Sequence, residues 1–426
     1  MEKPFDEKWF KQIQQACLDT EEVEWIQKNM AALDDEREQF FANEIENPLF
    51  AYKQPTNAVN LIDQIKLINE DIAAHEPNAI VADLYHRKIA NQITRIQLAV
   101  ASGAGDDAAF YAGSCELYSK PRKVYFAYVA KQVLALHKRV SSGSKDPLGK
   151  QLAKILTKID TSKVDISADI LPPVVVEEIE PIEFVPDAVA IFEAALAKLE
   201  ITDWKIVVEE NTNRSRFSIN AHSKRVYIPN QKQLDARSKK MTNLQLRALA
   251  EHEIGVHANR ANAGNKSQLQ LLSIGLDSYI RGEEGLASYL QQQVEGATEF
   301  YGFDRYLATS LAVGMDGHKR DFRGVFELMV EYYQLQFADS GHAVPYTKIQ
   351  TVAFEVCVRI FRGTTGQTPG CVYTKDIVYL EGNIGIWHLL SEKPHAFDDF
   401  FVGKYDPLLP RHVKALQTLG IIKEAW

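Results

Sequence analysis

The run His252-Glu253-Ile254-Gly255-Val256-His257 constrains this chain more than any other stretch. The residues before it read as helix: Thr242 is a candidate N-cap, Gln245 stands at N3, and Leu244, Leu246, Leu249 and Ala250 supply apolar positions. Histidines four residues apart on such a helix lie about 40° apart and share a face. Here the spacing is five, which on an ideal helix separates them by roughly 140°. They cannot meet unless one turn is widened. A π-type turn of about 4.4 residues brings them back to about 50°, and such turns favour functional sites. Gly255, between the two, eases the distortion.

A glutamate between two histidines, with the acid pair Glu283-Glu284 downstream, is the inventory of a mononuclear zinc hydrolase. Two imidazoles and a carboxylate hold the ion, and a non-ligating Glu takes the proton of the attacking water. Glu253, directly after the first histidine, is placed for that base. Glu283 and Glu284 lie at the start of a helix expected from Glu283 to Gln293, and adjacent residues point about 100° apart, so only one can face a metal. The other would complement the helix dipole. Gly285, Ala287 and Ser288 are small and would let this helix approach the histidine-bearing one.

Composition narrows the class. The chain has 426 residues, enough for a large core and two domains, with 46% hydrophobic and 25% charged residues. A net charge of −9 and no persistently basic segment argue against a nucleic-acid binder. Short basic runs, Lys120-Pro121-Arg122-Lys123 and Arg237-Ser238-Lys239-Lys240, read as solvated turns. The polar start, Met1 to Asp6, lacks a signal-peptide core, and no apolar stretch has the length of a membrane span. Cys17, Cys115, Cys357 and Cys371 are scattered, as in a reducing, cytoplasmic setting.

The organisation reads as α+β. Residues 1–168 form a mostly helical N-terminal domain, with apolar periodicity from Ile80 to Leu98 and from Val124 to Leu136 and a break at 102–107. Residues 169–186, with Pro172, Pro173, Pro181 and Pro186, form an extended linker. Residues 187–426 form the second domain. A helix is expected from Asp187 to Leu199, followed by strands Trp204–Glu209, Arg216–Ala221 and Arg225–Pro229. The last two flank a turn at His222-Ser223-Lys224. The small sheet is expected to be antiparallel, with one edge beside the metal-bearing helix, where an extended peptide could add as a further strand. Helices are expected again at Phe326–Phe337, Thr347–Phe361 and Thr374–Leu390.

HEIGVH, the EEGLA at Glu283–Ala287, the RIFRG at Arg359–Gly363 and the YTKDIVYLEG at Tyr373–Gly382 resemble a family of zinc peptidases. Its bacterial members are known by a QEGLA motif, and its animal members are the microtubule-associated tyrosine carboxypeptidases, which trim tubulin. Asn47-Pro48-Leu49-Phe50-Ala51-Tyr52 and Glu116-Leu117-Tyr118-Ser119-Lys120-Pro121 are similar too. One departure is Glu283, where the bacterial motif has Gln. The resemblance implies a zincin-like catalytic domain behind the helical region, with His252, His257 and Glu284 as metal ligands and Glu253 as general base.

A carboxypeptidase also needs a cation for the substrate's terminal carboxylate, and an arginine fork suits it. Arg359, Arg362 and Lys375 are the candidates, with helix-end charge complementing the dipole as the plainer role for the arginines. Tyr373 and Tyr379 could donate to a developing oxyanion, with His318 as an outside candidate. Thr374 and Asp376 read as caps of the helix they begin, and His222 as an exposed turn residue. The expected function is a zinc metallocarboxypeptidase acting on peptide or protein C-termini, tyrosine-like residues included, without nucleic-acid or membrane partners. The alternative is a non-enzymatic, metal-binding regulatory protein on the same fold, and an endopeptidase is a third possibility.

Overall fold

The computed structural model describes residues 4–23, 33–142, 147–175, 181–210, 217–236, 240–341 and 343–423, without the side chains of 18–23 and 33–35. Residues 1–3 of the N-terminus, 176–180 of the Pro-rich segment, Arg216 of the second expected strand and 237–239 of the second basic run lie outside them. No helix among the described residues is long and apolar enough to cross a membrane.

The helix breaks fall where local chemistry puts them. Asn78 caps the helix Ala79–Ala104 by accepting from the Ile80 and Val81 amides, and Gly105 ends it at φ 68°. Asp106 then caps Asp107–Tyr118 through the Ala109 amide. The helix Lys123–Ser141 follows. These helices share apolar cores with the far end of the chain. Tyr128 packs edge-on against Phe300 and Phe303, and Phe40 against Phe322 and Phe326. A second cluster joins Trp9, Ile13 and Leu84 to Leu271, Leu272, Tyr405 and Leu416. The Asp6 carboxylate accepts from the Gln270 and Leu271 amides and the Tyr85 hydroxyl. The Asn47 side chain accepts from the Arg323 amide and donates to Asp321, and the Tyr118 hydroxyl meets that of Tyr373.

The sheet has three strands, β1 (Lys205–Val208), β2 (Ser218–Asn220) and β3 (Arg225–Ile228), in the order β1-β3-β2. The β2–β3 hairpin is antiparallel with its turn at 221–224. β1, however, pairs parallel with β3, so the expectation of a purely antiparallel sheet is corrected to a mixed one. The cause is burial: Val226 and Ile228 are fully covered, so β3 is the strand with neighbours on both sides. The first strand therefore docks on β3 rather than on β2. Among the described residues this leaves β2 as an edge, packed beside the histidine-bearing segment.

The Pro-rich segment, expected as an extended linker over 169–186, leaves a 3-10 turn at Ala168–Ile170, is non-helical at 171–175 and 181–184, and enters the helix Val185–Lys198, which takes in Pro186; both its ends are tied down. The Ala297 amide donates to the Pro172 carbonyl and the Val175 amide to the Glu295 carbonyl, at the end of the helix Ile280–Glu295. At the other end Pro181 bridges to Thr242, and the Ile182 amide donates to the Met241 carbonyl. It thus straps together the two helices that carry the candidate site.

Candidate metal centre

The capping box reads as the sequence implies. Thr242 accepts from the Gln245 amide at 3.1 Å, and the Gln245 side chain accepts from the Thr242 amide at 3.1 Å. An α-helix, Asn243–Ala250, runs straight into a π-helical segment, Glu251–Ala258, and returns to α at Asn259–Lys266. The Asn259 amide reaches back five residues to the Ile254 carbonyl. The widened segment contains both histidines, as their spacing demands, and their rings come within 5.1 Å of each other. A side chain at Gly255 would meet the Glu251 carboxylate, which Lys198 holds in an ion pair.

Glu284 enters from the helix Ile280–Glu295, here called the acid helix. Its Oε2 lies 3.7 Å from His252 Nε2 and 3.9 Å from His257 Nε2, and one ligand atom from each of the three lies within 4.8 Å of the others. Ligands bound at the usual zinc–nitrogen and zinc–oxygen distances in a tetrahedron sit about 3.4 Å apart, so the two separations from Glu284 exceed those of a bound set by a few tenths of an ångström. The donor chemistry fits as well. Each imidazole is held through its Nδ1, so that Nε2 presents a lone pair to the centre. His257 Nδ1 donates to Glu283 Oε1 at 3.0 Å, and His252 Nδ1 to Gln291 Oε1 at 3.1 Å. The Gln291 amide nitrogen donates to Glu295, which fixes which end faces the ring. His252, His257 and Glu284 are therefore the residues that would hold a metal.

Electrostatics separate the roles of the acids. Burial raises the Glu253 carboxyl to about 7, against the pull of the His257 charge, in the range of a general base near neutrality. Glu283 goes the other way. Burial alone would raise it, but Lys404, Arg260 and the hydrogen bond from His257 hold it well below the usual carboxylate range. Arg260 is fully buried and also donates to the Phe400 and Tyr405 carbonyls. Glu283 is thus a permanent anion that orients His257, a role beyond the dipole complement its position implied. Burial and the neighbouring His257 charge drop His252 to about 3, whereas His257, opposed by burial, is held up by Glu283 and the nearby acids.

Other predicted positions fall in mixed places. Arg359 grips Asp376 with two bonds of 3.0 Å, and Arg362 adds a third at 2.8 Å. Asp376 is fully buried and makes no side-chain cap to the helix Ile377–Glu392 that it precedes, so the capping role expected for it is corrected to an ionic one. Thr374 likewise bonds Ser114 rather than capping. Lys375 is half-buried, and its ammonium has no ionic partner among the described residues. Tyr373 is engaged with Tyr118 and lies under the Arg362 guanidinium. Tyr379 is different. Its ring lies under Arg305 and near Arg359, its hydroxyl makes no hydrogen bond among the described residues, and burial with the Glu284 charge keeps the phenol protonated. His318 and His222 are exposed, His222 in the hairpin turn and His318 in an irregular segment.

The close approach made by Gly285 is to Gly382 on the helix Ile377–Glu392, not to the histidine-bearing segment. A Cβ at Gly285 would sit 2.4 Å from the Gly382 carbonyl carbon, and one at Gly382 2.1 Å from the Arg281 oxygen. Below this contact, Gln292 accepts from Asn383 and Trp387, a buried network that fixes the acid helix in rotation.

A family model described as microtubule-associated tyrosine carboxypeptidase matches residues 230–426. The match spans the capping box, both histidines, Glu253 and Glu284, and it suggests a carboxypeptidase-type peptidase. It does not single out the bacterial members, and the N-terminal motifs at 47–52 and 116–121 lie outside it. No curated protein and no solved structure matches the chain.

Proposed function

We propose that this protein is a zinc-dependent metallocarboxypeptidase that removes C-terminal residues, tyrosine-like ones included, from peptides or proteins. The carrying observation is the convergence of His252, His257 and Glu284 through a widened helical turn, with the non-ligating Glu253 between the histidines. The match over residues 230–426 adds the reaction class. Zinc, when bound, would polarise the scissile carbonyl and make an attacking water more acidic. Glu253 accepts the water's proton and passes it to the leaving amine. Glu283 and Gln291 hold the imidazole tautomers while this happens. The Tyr379 hydroxyl, a neutral donor without an acceptor among the described residues, supplies a hydrogen bond to the developing oxyanion. Among the described residues β2 pairs with β3 alone, and its other edge offers an extended peptide a strand to pair with.

Metal analysis of the purified protein, combined with mass spectrometry of a peptide library, tests the reading. Single residues should leave from free C-termini, and amidated peptides should be cut poorly. Glu253→Gln should keep the zinc and lose hydrolysis by about 10²–10⁴-fold, and His257→Ala should lose stoichiometric metal. Equal cutting of amidated and free-acid peptides would turn the assignment to an endopeptidase. Zinc-loaded protein that cuts nothing would favour the regulatory alternative, which gives no use to a base at Glu253.

A further inference from the structure

At the seam between the N-terminal helices and the acid helix lies a cavity of about 330 Å³, within the usual size of ligand pockets. Five basic side chains line it, Lys88, Arg95, Arg122, Arg281 and Arg411, against two acidic ones, Glu381 and Asp406. Three of the arginines are paired: Arg122 with Glu381, Arg281 with Asp406 and Arg411 with Asp277. Lys88 is not. It is 5% exposed, and its ammonium donates to the Ile274 carbonyl at 3.1 Å and lies 5.6 Å from the Tyr279 ring. No carboxylate pairs with it among the described residues. A buried ammonium without a carboxylate in direct contact is costly, and here burial pushes Lys88 below its ordinary range against the more distant pull of Cys17 and Asp277. Tyr279, also in the wall, has a hydroxyl without a hydrogen-bond partner among the described residues.

The cavity belongs with the metal centre by position. Ile280, in its wall, is four residues before Glu284 on the acid helix, the same face and about 6 Å along the axis. The positive end of that helix's dipole opens toward the cavity. Leu276, Ile280, Ile377 and Val378 give the same space an apolar side. Arg359 and Arg362, by contrast, are both tied to Asp376.

We propose that this cavity receives the last residue of the substrate, with its free α-carboxylate against the Lys88 ammonium and the Tyr279 hydroxyl and its side chain against the apolar wall. The proposal rests on the carboxypeptidase reading and moves the carboxylate grip from the arginines near Asp376 to Lys88. It explains why a cation with no carboxylate in contact is kept inside the protein: the direct partner arrives with the substrate.

The test uses the full chain carrying Glu253→Gln, loaded with zinc, so that ligand binding is read without turnover. Calorimetry compares an N-acetyl dipeptide free acid with its amide. The free acid should bind at least about tenfold more tightly, the scale of one charge-assisted contact. Adding Lys88→Met should reduce that preference to less than about twofold, and Tyr279→Phe should reduce it in part. Thermal melts of the ligand-free protein supply a second readout. Lys88→Met should melt no lower than its parent, because it removes a buried charge that no carboxylate contacts. A preference that survives Lys88→Met, or a melting temperature that falls with it, would overturn the clamp. If free-acid peptides are hydrolysed by the Glu253-intact protein while the preference survives Lys88→Met, the clamp falls and the carboxypeptidase reading stands. If no peptide is hydrolysed, both fall.

Discussion

Replacing Glu283 by Gln separates a metal-orienting role from a structural one. The Glu283 carboxylate accepts a hydrogen bond from His257 Nδ1 at 3.0 Å on one oxygen and pairs with the fully buried Arg260 on the other, with the Lys404 ammonium 3.4 Å from the first. One anion thus faces two buried cations and a donor. An amide has one acceptor oxygen, so its NH2 must face either Arg260 or His257, donor against donor. The two cations also lose their counter-charge, and breaking a buried pair by neutralising one partner costs about 3–5 kcal/mol. Native stabilities of about 5–15 kcal/mol leave the variant folded but weakened. The loss of the His257 orientation should lower zinc affinity about 10–100-fold, or about 1.4–2.8 kcal/mol. Gln291→Met is the matched control. It removes the neutral acceptor for His252 Nδ1 and no charge, so zinc affinity should fall while stability drops by only about 1 kcal/mol. Urea unfolding of metal-free protein and competition with a chelating dye measure the two quantities. If Glu283→Gln binds zinc within about threefold of wild type and unfolds at the same urea concentration, Glu283 neither orients His257 nor balances Arg260.

Other outcomes follow from the same contacts. Tyr379→Phe should lower kcat by about 10²-fold with little change in zinc content, as loss of an oxyanion donor does, and an unchanged kcat would remove Tyr379 from the reaction. Gly285→Ala should destabilise the protein by about 1–3 kcal/mol or more and weaken zinc binding, because its methyl meets the rigid Gly382 backbone; a variant with native melting and full metal would show that the helices part freely. Acid unfolding should involve Asp376. Burial would raise its pKa, but Arg362 and Arg359 together hold it below the ordinary 3.8, so its contribution is complete above that value and is lost as the pH falls through the depressed one. Asp376→Asn should therefore be less stable than wild type at neutral pH, by about 3–5 kcal/mol, with the gap narrowing below about pH 4 in denaturant titrations.

What the sequence discloses is what depends on neighbours a few residues away. The Thr242–Gln245 box, the five-residue histidine spacing that forces a π-turn, and the helix break before Asp107 all follow from local geometry, and the structure has them. The corrected expectations involve partners far along the chain. β1 was expected to pair antiparallel, but order in a sheet depends on which strand is buried, and alternation within one strand does not report that. Asp376 at a helix start invites a cap, and only Arg359 and Arg362, brought in by the preceding helix, claim its carboxylate instead. Gly285 announced a close contact without naming Gly382 as its partner. Gln291 was missed, although it stands seven residues after Glu284 and so lies within about 20° of it on the acid helix. That spacing is the one local signal that would have found it.

The two imidazoles come from one continuous helical run, yet their alignment is set by another. Glu284 would supply the third donor to an ion, Glu283 holds His257 and Gln291 holds His252, and all three stand on the acid helix. A slide or rotation of that helix therefore moves every interaction that completes the centre at once. This accounts for how heavily it is fixed: Gly285 against Gly382, Gln292 to Asn383 and Trp387, and the Pro-rich strap hydrogen-bonded at its far end. The same strap reaches the cap of the histidine-bearing helix at Thr242, so both halves of the site share one tether. The widened turn solves the histidine spacing, and the acid helix turns that solution into a donor set with fixed tautomers. A centre built in this way should lose metal through changes in packing between the acid helix and Ile377–Glu392 as readily as through changes to a ligand.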